Sequence, residues 1–262
     1  MHIVVCVKQV PDSTEIKINP ETGTLVRTGV PSIMNPYDHF ALETALNLKK
    51  EHDARVTVVS MGPPQAKSVV QLGLALGADE GVLLSDKAFA GSDTWATSYA
   101  LSLAINKLGK FSLVLCGMQA IDGDTAQVGP GVAQQLSIPQ VTFCEEVKVN
   151  GKKAWVRKAT DYGYAIAEVD MPVLLTMMMH KDFEARYPSF LDIFNSDQKP
   201  YHVWTAEDIG AKKEYLGLKG SPTQVDRIYP PEKGCETQML TGAPGEIAQK
   251  IVDILKKENC LR

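Results

Sequence analysis

Thirteen residues, Gly117-Met118-Gln119-Ala120-Ile121-Asp122-Gly123-Asp124-Thr125-Ala126-Gln127-Val128-Gly129, concentrate the chemistry that this chain can offer. They follow an apolar run, Phe111 to Cys116, and lead into a segment with helical spacing, Ala126 to Leu136. A strand, a glycine-bearing loop and a helix start make a place to hold phosphate, because the first N–H groups of a helix lack partners and carry partial positive charge. Gly117, Gly123 and Gly129 would let a ligand approach the main chain. The plainer reading is a strand-to-helix turn with Asp124 or Thr125 as its N-cap. Asp122 and Asp124 could be paired acids or Mg²⁺ ligands. We favour one as helix cap and the other as a ribose or loop partner, since bare carboxylates repel phosphates without an intervening cation.

The elements that position this loop are legible from period and punctuation. Ile3 to Val7 reads as a first strand. Asn35-Pro36 opens a helix with a side-chain cap and a proline at its first position. Its residues Tyr37, Phe40, Ala41, Thr44, Ala45 and Leu48 form one stripe. Arg55 to Ser60 is a strand, Pro64 to Leu76 a helix closed by Gly77, and Gly81 to Leu84 a third strand. Asp93 to Leu108 is a helix ended by Gly109, and Phe111 to Cys116 the fourth strand. This alternation predicts parallel strands with right-handed crossovers and helices on both faces. Two insertions interrupt it. Glu15 to Arg27 reads as a hairpin, and Val141 to Val149, Lys153 to Ala159 and Tyr164 to Val169 read as added antiparallel strands, joined by a turn at Asn150-Gly151. Met177-Met178-Met179, in the run after Pro172, reads as strand packing, because no His or Cys cluster accompanies it.

Composition narrows the classes. With 44% hydrophobic and 22% charged residues, 262 residues can bury a substantial core. A net charge of −4 disfavours nucleic acid or an anionic membrane as the main partner. No apolar run reaches membrane-spanning length, and the N-terminus lacks a charged leader, so we expect no export signal and a cytoplasmic protein. Five cysteines without a C-x-x-C pair suggest reduced thiols. G-x-S-x-G, H-E-x-x-H, Walker A and G-x-G-x-x-G are all absent, and the histidines are far apart, so we assign no catalytic residue and no metal site. In an open α/β sheet, ligands bind beyond the strands' carboxyl ends where strand order reverses. If the first and fourth strands are neighbours there, Cys6-Val7-Lys8 faces the Gly117 loop, with Asn35 and Asp38 closing one side and Met61-Gly62 another. Four such loops form an adenine-nucleotide pocket whose bound nucleotide supplies the function.

Four segments resemble the β-subunit of electron-transfer flavoproteins: Val7 to Asp12, Met34 to Tyr37, Gly117 to Asp124 and Glu168 to Thr176. The resemblance runs through almost the whole chain. It implies a Rossmann-like fold of the adenine-nucleotide α-hydrolase-like type, a heterodimer with an α-subunit, and single-electron exchange with flavin dehydrogenases. The family's nucleotide site carries over to Cys6, to Asn35, Pro36, Tyr37 and Asp38, to Met61, and to Ala120 through Gly131, including Pro130. Respiratory-type members hold a structural AMP beside a loop richer in acidic and bulky polar residues. Here Gly123, Thr125, Ala126 and Val128 resemble members that place FAD in the β-subunit and oxidise NADH. Such proteins send one electron to ferredoxin or flavodoxin and one to an acyl-CoA dehydrogenase. The alternatives are an AMP-holding subunit and a non-redox adenine-nucleotide sensor.

The same resemblance places the dehydrogenase recognition loop in the aromatic segment His180 to Phe194, with Phe183, Arg186 and Tyr187 as docking residues. Residues 1–197 are expected to form the nucleotide domain. Residues 198–262, rich in proline and glycine with one clear helix from Pro244 to Lys257, are expected to form an arm wrapping the α-subunit.

Overall fold

The computed structural model describes residues 1–12, 31–179, 181–226, 237, 239–258 and 260. In chain order, the strands and helices are β1 (His2–Cys6), β2 (Gln9–Pro11), β3 (Ser32–Met34), α1 (Pro36–His52), β4 (Arg55–Met61), α2 (Lys67–Leu76), β5 (Glu80–Leu84), α3 (Thr94–Lys107), β6 (Leu113–Gly117) and α4 (Val128–Leu136). There follow β7 (Gln140–Asn150), β8 (Lys153–Thr160), β9 (Gly163–Asp170), β10 (Val173–Met177), α5 (Phe190–Ser196), β11 (Tyr201–Trp204), α6 (Gly217–Gly220) and α7 (Pro244–Lys257).

Nine strands form one sheet in the order β11-β5-β4-β1-β6-β10-β7-β8-β9. All pairings from β11 to β7 are parallel, and β7-β8-β9 is antiparallel. Strands buried on both faces must be apolar throughout. Val4, Val114 and Leu174 face α3 and α4, while Ile3, Val5, Leu113 and Leu115 face α1 and α2. The expected α/β sandwich with added antiparallel strands is therefore the observed fold. α1 buries Leu42 and Leu46 as well as Ala41, Ala45 and Leu48, a wider stripe than the periodicity marked. Among the described residues, the four cysteines are free thiols, and no helix is long and apolar enough to cross a membrane.

The hairpin expected over Glu15 to Arg27 lies outside the described residues. Immediately before and after it, β2 and β3 pair antiparallel, Val10 opposite Ile33. The arm expected from 198 onward needs correction. β11 pairs with β5 and completes the sheet, and Ala206, Ile209 and Leu216 are buried in the same core as α3 and α4. Lys199 donates to the carbonyls of Leu74 and Ala78 at the end of α2. The compact body extends to Asp226, and the remainder forms a second unit. In that unit α7 begins at the expected Pro244, with the Glu246 carboxylate accepting from the Ala243 N–H.

Candidate nucleotide site

β4 and β5 lie on one side of β1, and β6 and β10 on the other, so strand order reverses between β1 and β6. Cys6 and Cys116 are register partners at this point, just before the strands end. The Cys6 thiol beside it, together with burial, pushes the Cys116 thiol well up, so Cys116 is packing rather than a nucleophile. Cys6, Val7, Lys8, Asn35, Tyr37, Asp38, Met61, Gly62 and the loop from Met118 to Gly131 all gather at the carboxyl end of β1, β4 and β6.

Two buried side chains from the start of α1 hold the loops together. Asp38 Oδ2 accepts the Lys8 N–H at 2.8 Å, and Oδ1 accepts the Gly117 N–H at 3.1 Å. One carboxylate thus ties the ends of β1 and β6. Burial pushes this carboxyl up to about 7, against the lowering effect of its hydrogen bonds from Asn35, Lys8 and Gly117. Asn35 works on the loop itself. Its Nδ2 donates to the Gln119 carbonyl at 2.8 Å, and its Oδ1 accepts the Ile121 N–H at 3.2 Å. The expected helix cap is therefore wrong for Asn35: no side-chain cap bond forms, because the amide is spent across the cleft. Pro36 does occupy the first turn.

The loop above is shaped by its non-glycine residues. Asp124 and Ala126 take left-handed φ of 46° and 54°. Gln119 Nε2 donates to Asp124 Oδ1 at 2.8 Å. At the rim, Lys8 Nζ reaches both Asp122 oxygens, at 2.6 and 2.8 Å. Neither Asp124 nor Thr125 caps the helix, which begins at Val128 with Gln127 as its N-cap residue, two residues later than the spacing suggested. No side chain caps α4 and no acid occupies its first turn. α3 is the contrast: Asp93 accepts from the Trp95 and Ala96 N–H groups and closes its N-terminus. An uncapped N-terminus at the switch point retains the polarity that suits a phosphate.

The glycines divide. A Cβ on Gly123 meets nothing within 4 Å. On Gly117 it would lie 2.3 Å from Asp38 Oδ1, on Gly129 2.6 Å from Thr176 Cγ2, and on Gly131 2.4 Å from Ser98 Oγ. Gly117 and Gly129 are thus required by protein packing, and the ligand-approach reading survives for Gly123 alone. Ser98, which the sequence reading passed over, also donates to the Val128 carbonyl at 3.2 Å and joins α3 to the start of α4. A small residue one turn into α3 was the available signal.

Phe183, Arg186 and Tyr187 lie apart from these loops, and His180 is outside the described residues. Phe183 turns inward, edge-on to Phe40 of α1 at 5.1 Å. Arg186 pairs with Glu43 of α1 at 2.6 Å. Tyr187 is 89% exposed, and beyond it α5 exposes Phe190, Leu191 and Phe194. The Ser189–Asp192 capping box fixes α5.

Comparison with known proteins adds the family. The electron transfer flavoprotein domain matches residues 22–208. The chain is 51% identical to the electron transfer flavoprotein subunit beta of Clostridium acetobutylicum, over 99% of both chains. It is 49% identical to subunit CarD of the caffeyl-CoA reductase-Etf complex of Acetobacterium woodii, over the whole of both. It is 42% identical to the acryloyl-CoA reductase electron transfer subunit gamma of Anaerotignum propionicum, again over both full lengths. With its sheet reversal, its loop at the switch point and these similarities, the chain belongs to the electron transfer flavoprotein family, among its beta subunits.

Proposed function

We propose that this chain holds FAD at the β1–β6 switch point and takes hydride from NADH. The electrons would then divide between a low-potential carrier, ferredoxin or flavodoxin, and an acyl-CoA dehydrogenase reached through the flavin of a partner α-subunit. The observation that carries the reading is the uncapped start of α4 beside a loop whose Gly123 opens onto free space. Asp124, Thr125 and Gln127 are exposed around it. That arrangement leaves more room than a loop of bulky polar residues. The names of two relatives, both tied to CoA-thioester reductases, support the same direction.

The chain's part is to bind and orient. Val128 and Gly129 at the start of α4 would face the ligand's phosphates, Asn35 fixes the loop above, and Cys6 with Cys116 forms an apolar floor. Bound FAD would supply hydride acceptance and one-electron exchange, which no side chain here can perform. The AMP-holding subunit is the second reading, because the same loops fit an adenosine monophosphate. Acid release of ligands from the purified heterodimer separates the readings. Two FAD and no AMP is expected; one FAD with one AMP overturns it, and so does an unchanged flavin spectrum under anaerobic NADH.

Docking is assigned to the exposed side of α5 and Tyr187, with Phe183 and Arg186 as the fasteners that hold this segment on α1. Leu191→Ala should slow electron transfer to the dehydrogenase roughly tenfold or more, as central apolar anchors do, without changing ligand content. An equal loss in NADH-driven reduction would remove the assignment. For α7, Ile247, Ile251 and Ile254 recur at helical spacing and are proposed to pack on the α-subunit.

A further inference from the structure

The segments gathered at the switch point contain several acids and one cation. Residues 6–8, 35–38, 61–62 and 117–131 hold Asp38, Asp122 and Asp124 but no arginine and no lysine other than Lys8. Asp38 is occupied by main-chain N–H groups, and Asp124 by Gln119. Asp122 has Lys8.

This ion pair is not what holds the loop. Asn35 grips Gln119 and Ile121 from beneath, and the Met118 N–H donates to the Met177 carbonyl at 2.9 Å. The main chain of Lys8 is equally fixed, its N–H on Asp38 and its carbonyl accepting from the Asn35 N–H at 2.9 Å. Only the four-carbon stem and ammonium of Lys8 are left to move. The Lys8 and Asp122 side chains are 47% and 29% exposed, a setting in which an ion pair is weak and exchangeable.

We propose that Lys8 is the phosphate-recognising cation of this site and that Asp122 is its built-in competitor. Arrival of a nucleotide phosphate exchanges one partner of Lys8 for another, and Asp122 tunes how strongly phosphate-bearing ligands are preferred over a bare nucleoside. The proposal rests on the nucleotide reading above. The terminal phosphate of AMP, largely a dianion at neutral pH, outbids one carboxylate for the ammonium, and the pyrophosphate of FAD brings the same total charge over two phosphates, whereas adenosine gives Lys8 no reason to leave Asp122.

The test compares AMP with adenosine, by calorimetric titration of the full chain in complex with its partner subunit, freed of endogenous nucleotide. Lys8→Met should weaken AMP by about tenfold or more and leave adenosine within about twofold. Asp122→Asn should strengthen AMP roughly two- to fivefold, the scale of an exposed ion pair, again without moving adenosine. The idea is overturned if Asp122→Asn weakens AMP and adenosine alike, since the pair would then be a loop brace. It is also overturned if Lys8→Met leaves AMP unchanged, with the nucleotide site itself intact. Wild-type protein that binds neither compound would instead remove the nucleotide reading, and this proposal with it.

Discussion

Gly129→Val should lower the free energy of unfolding by about 2–3 kcal/mol, while Gly123→Val should change it by less than about 0.5 kcal/mol. The two glycines lie six positions apart in one loop-helix unit, yet only one touches the core. A Cβ at position 129 would sit 2.6 Å from Thr176 Cγ2. Thr176 cannot easily yield. It is β-branched, buried in β10, and its hydroxyl accepts the Phe143 N–H at 3.2 Å. α4 must therefore shift off the sheet or Thr176 must give up that bond. Around Gly123 there is room for the new side chain, so its cost should appear as weakened nucleotide binding. Urea titrations with matched slopes, paired with AMP binding, measure both. A Gly129→Val protein of wild-type stability that had lost only its nucleotide would restore the ligand-approach reading for that residue.

The second large effect is a pH dependence centred on Asp38. Its carboxyl is pushed up from 3.8 to about 7 by burial, so the folded protein holds a proton there that the unfolded chain has released. Such a group favours folding fully below pH 4, and that contribution is lost as pH rises through 7. Between pH 5 and pH 8 the loss should be on the order of 2–3 kcal/mol. Asp38→Asn removes the titration and places an amide where the Lys8 and Gly117 N–H groups need acceptors. The variant should be less stable than wild type at pH 5, and the gap should narrow by pH 8. Parallel stability profiles for the two proteins would show that Asp38 does not titrate in this range.

What sequence period can reveal, it revealed: the parallel strands, the four principal helices around them and the antiparallel addition all stand near their expected bounds. Most of the misplaced details share one physical origin, which is that their causes are distant in the chain. Asn35 precedes a proline-led helix, so a cap was the local answer, but Gln119 and Ile121 compete for its amide. Gly129 reads as open loop until Thr176 is placed beneath it. α4 starts later than its spacing predicts because Asp124 and Ala126 both take left-handed φ, which composition does not announce for alanine. β11 is four residues long, half-exposed and parallel, and its partner β5 lies far upstream. A short edge strand of that kind carries no alternation to distinguish it from a tail. Phe183 was recognised as an anchor, but the sequence could not tell an anchor for a neighbour from an anchor for its own helix.

The pairing of β11 with β5 also matters while the protein is being made. Tyr201 joins Gly81, and Trp204 joins Leu84. At ordinary ribosomal speeds these partners emerge on the order of ten seconds apart. Through that interval the nascent chain carries Glu-Gly-Val-Leu-Leu as a bare strand, with one row of N–H and C=O groups facing outward. Ala206, Ile209 and Leu216, which share a buried cluster with Val82 and Leu84 of β5, have not yet been synthesised. A half-translated copy would offer that row to any other unpaired strand. Pairing with β11 covers β5 and passes the edge to a strand of only four residues, so the interval in which pausing is expected to be hazardous runs from the emergence of Leu84 to that of Trp204.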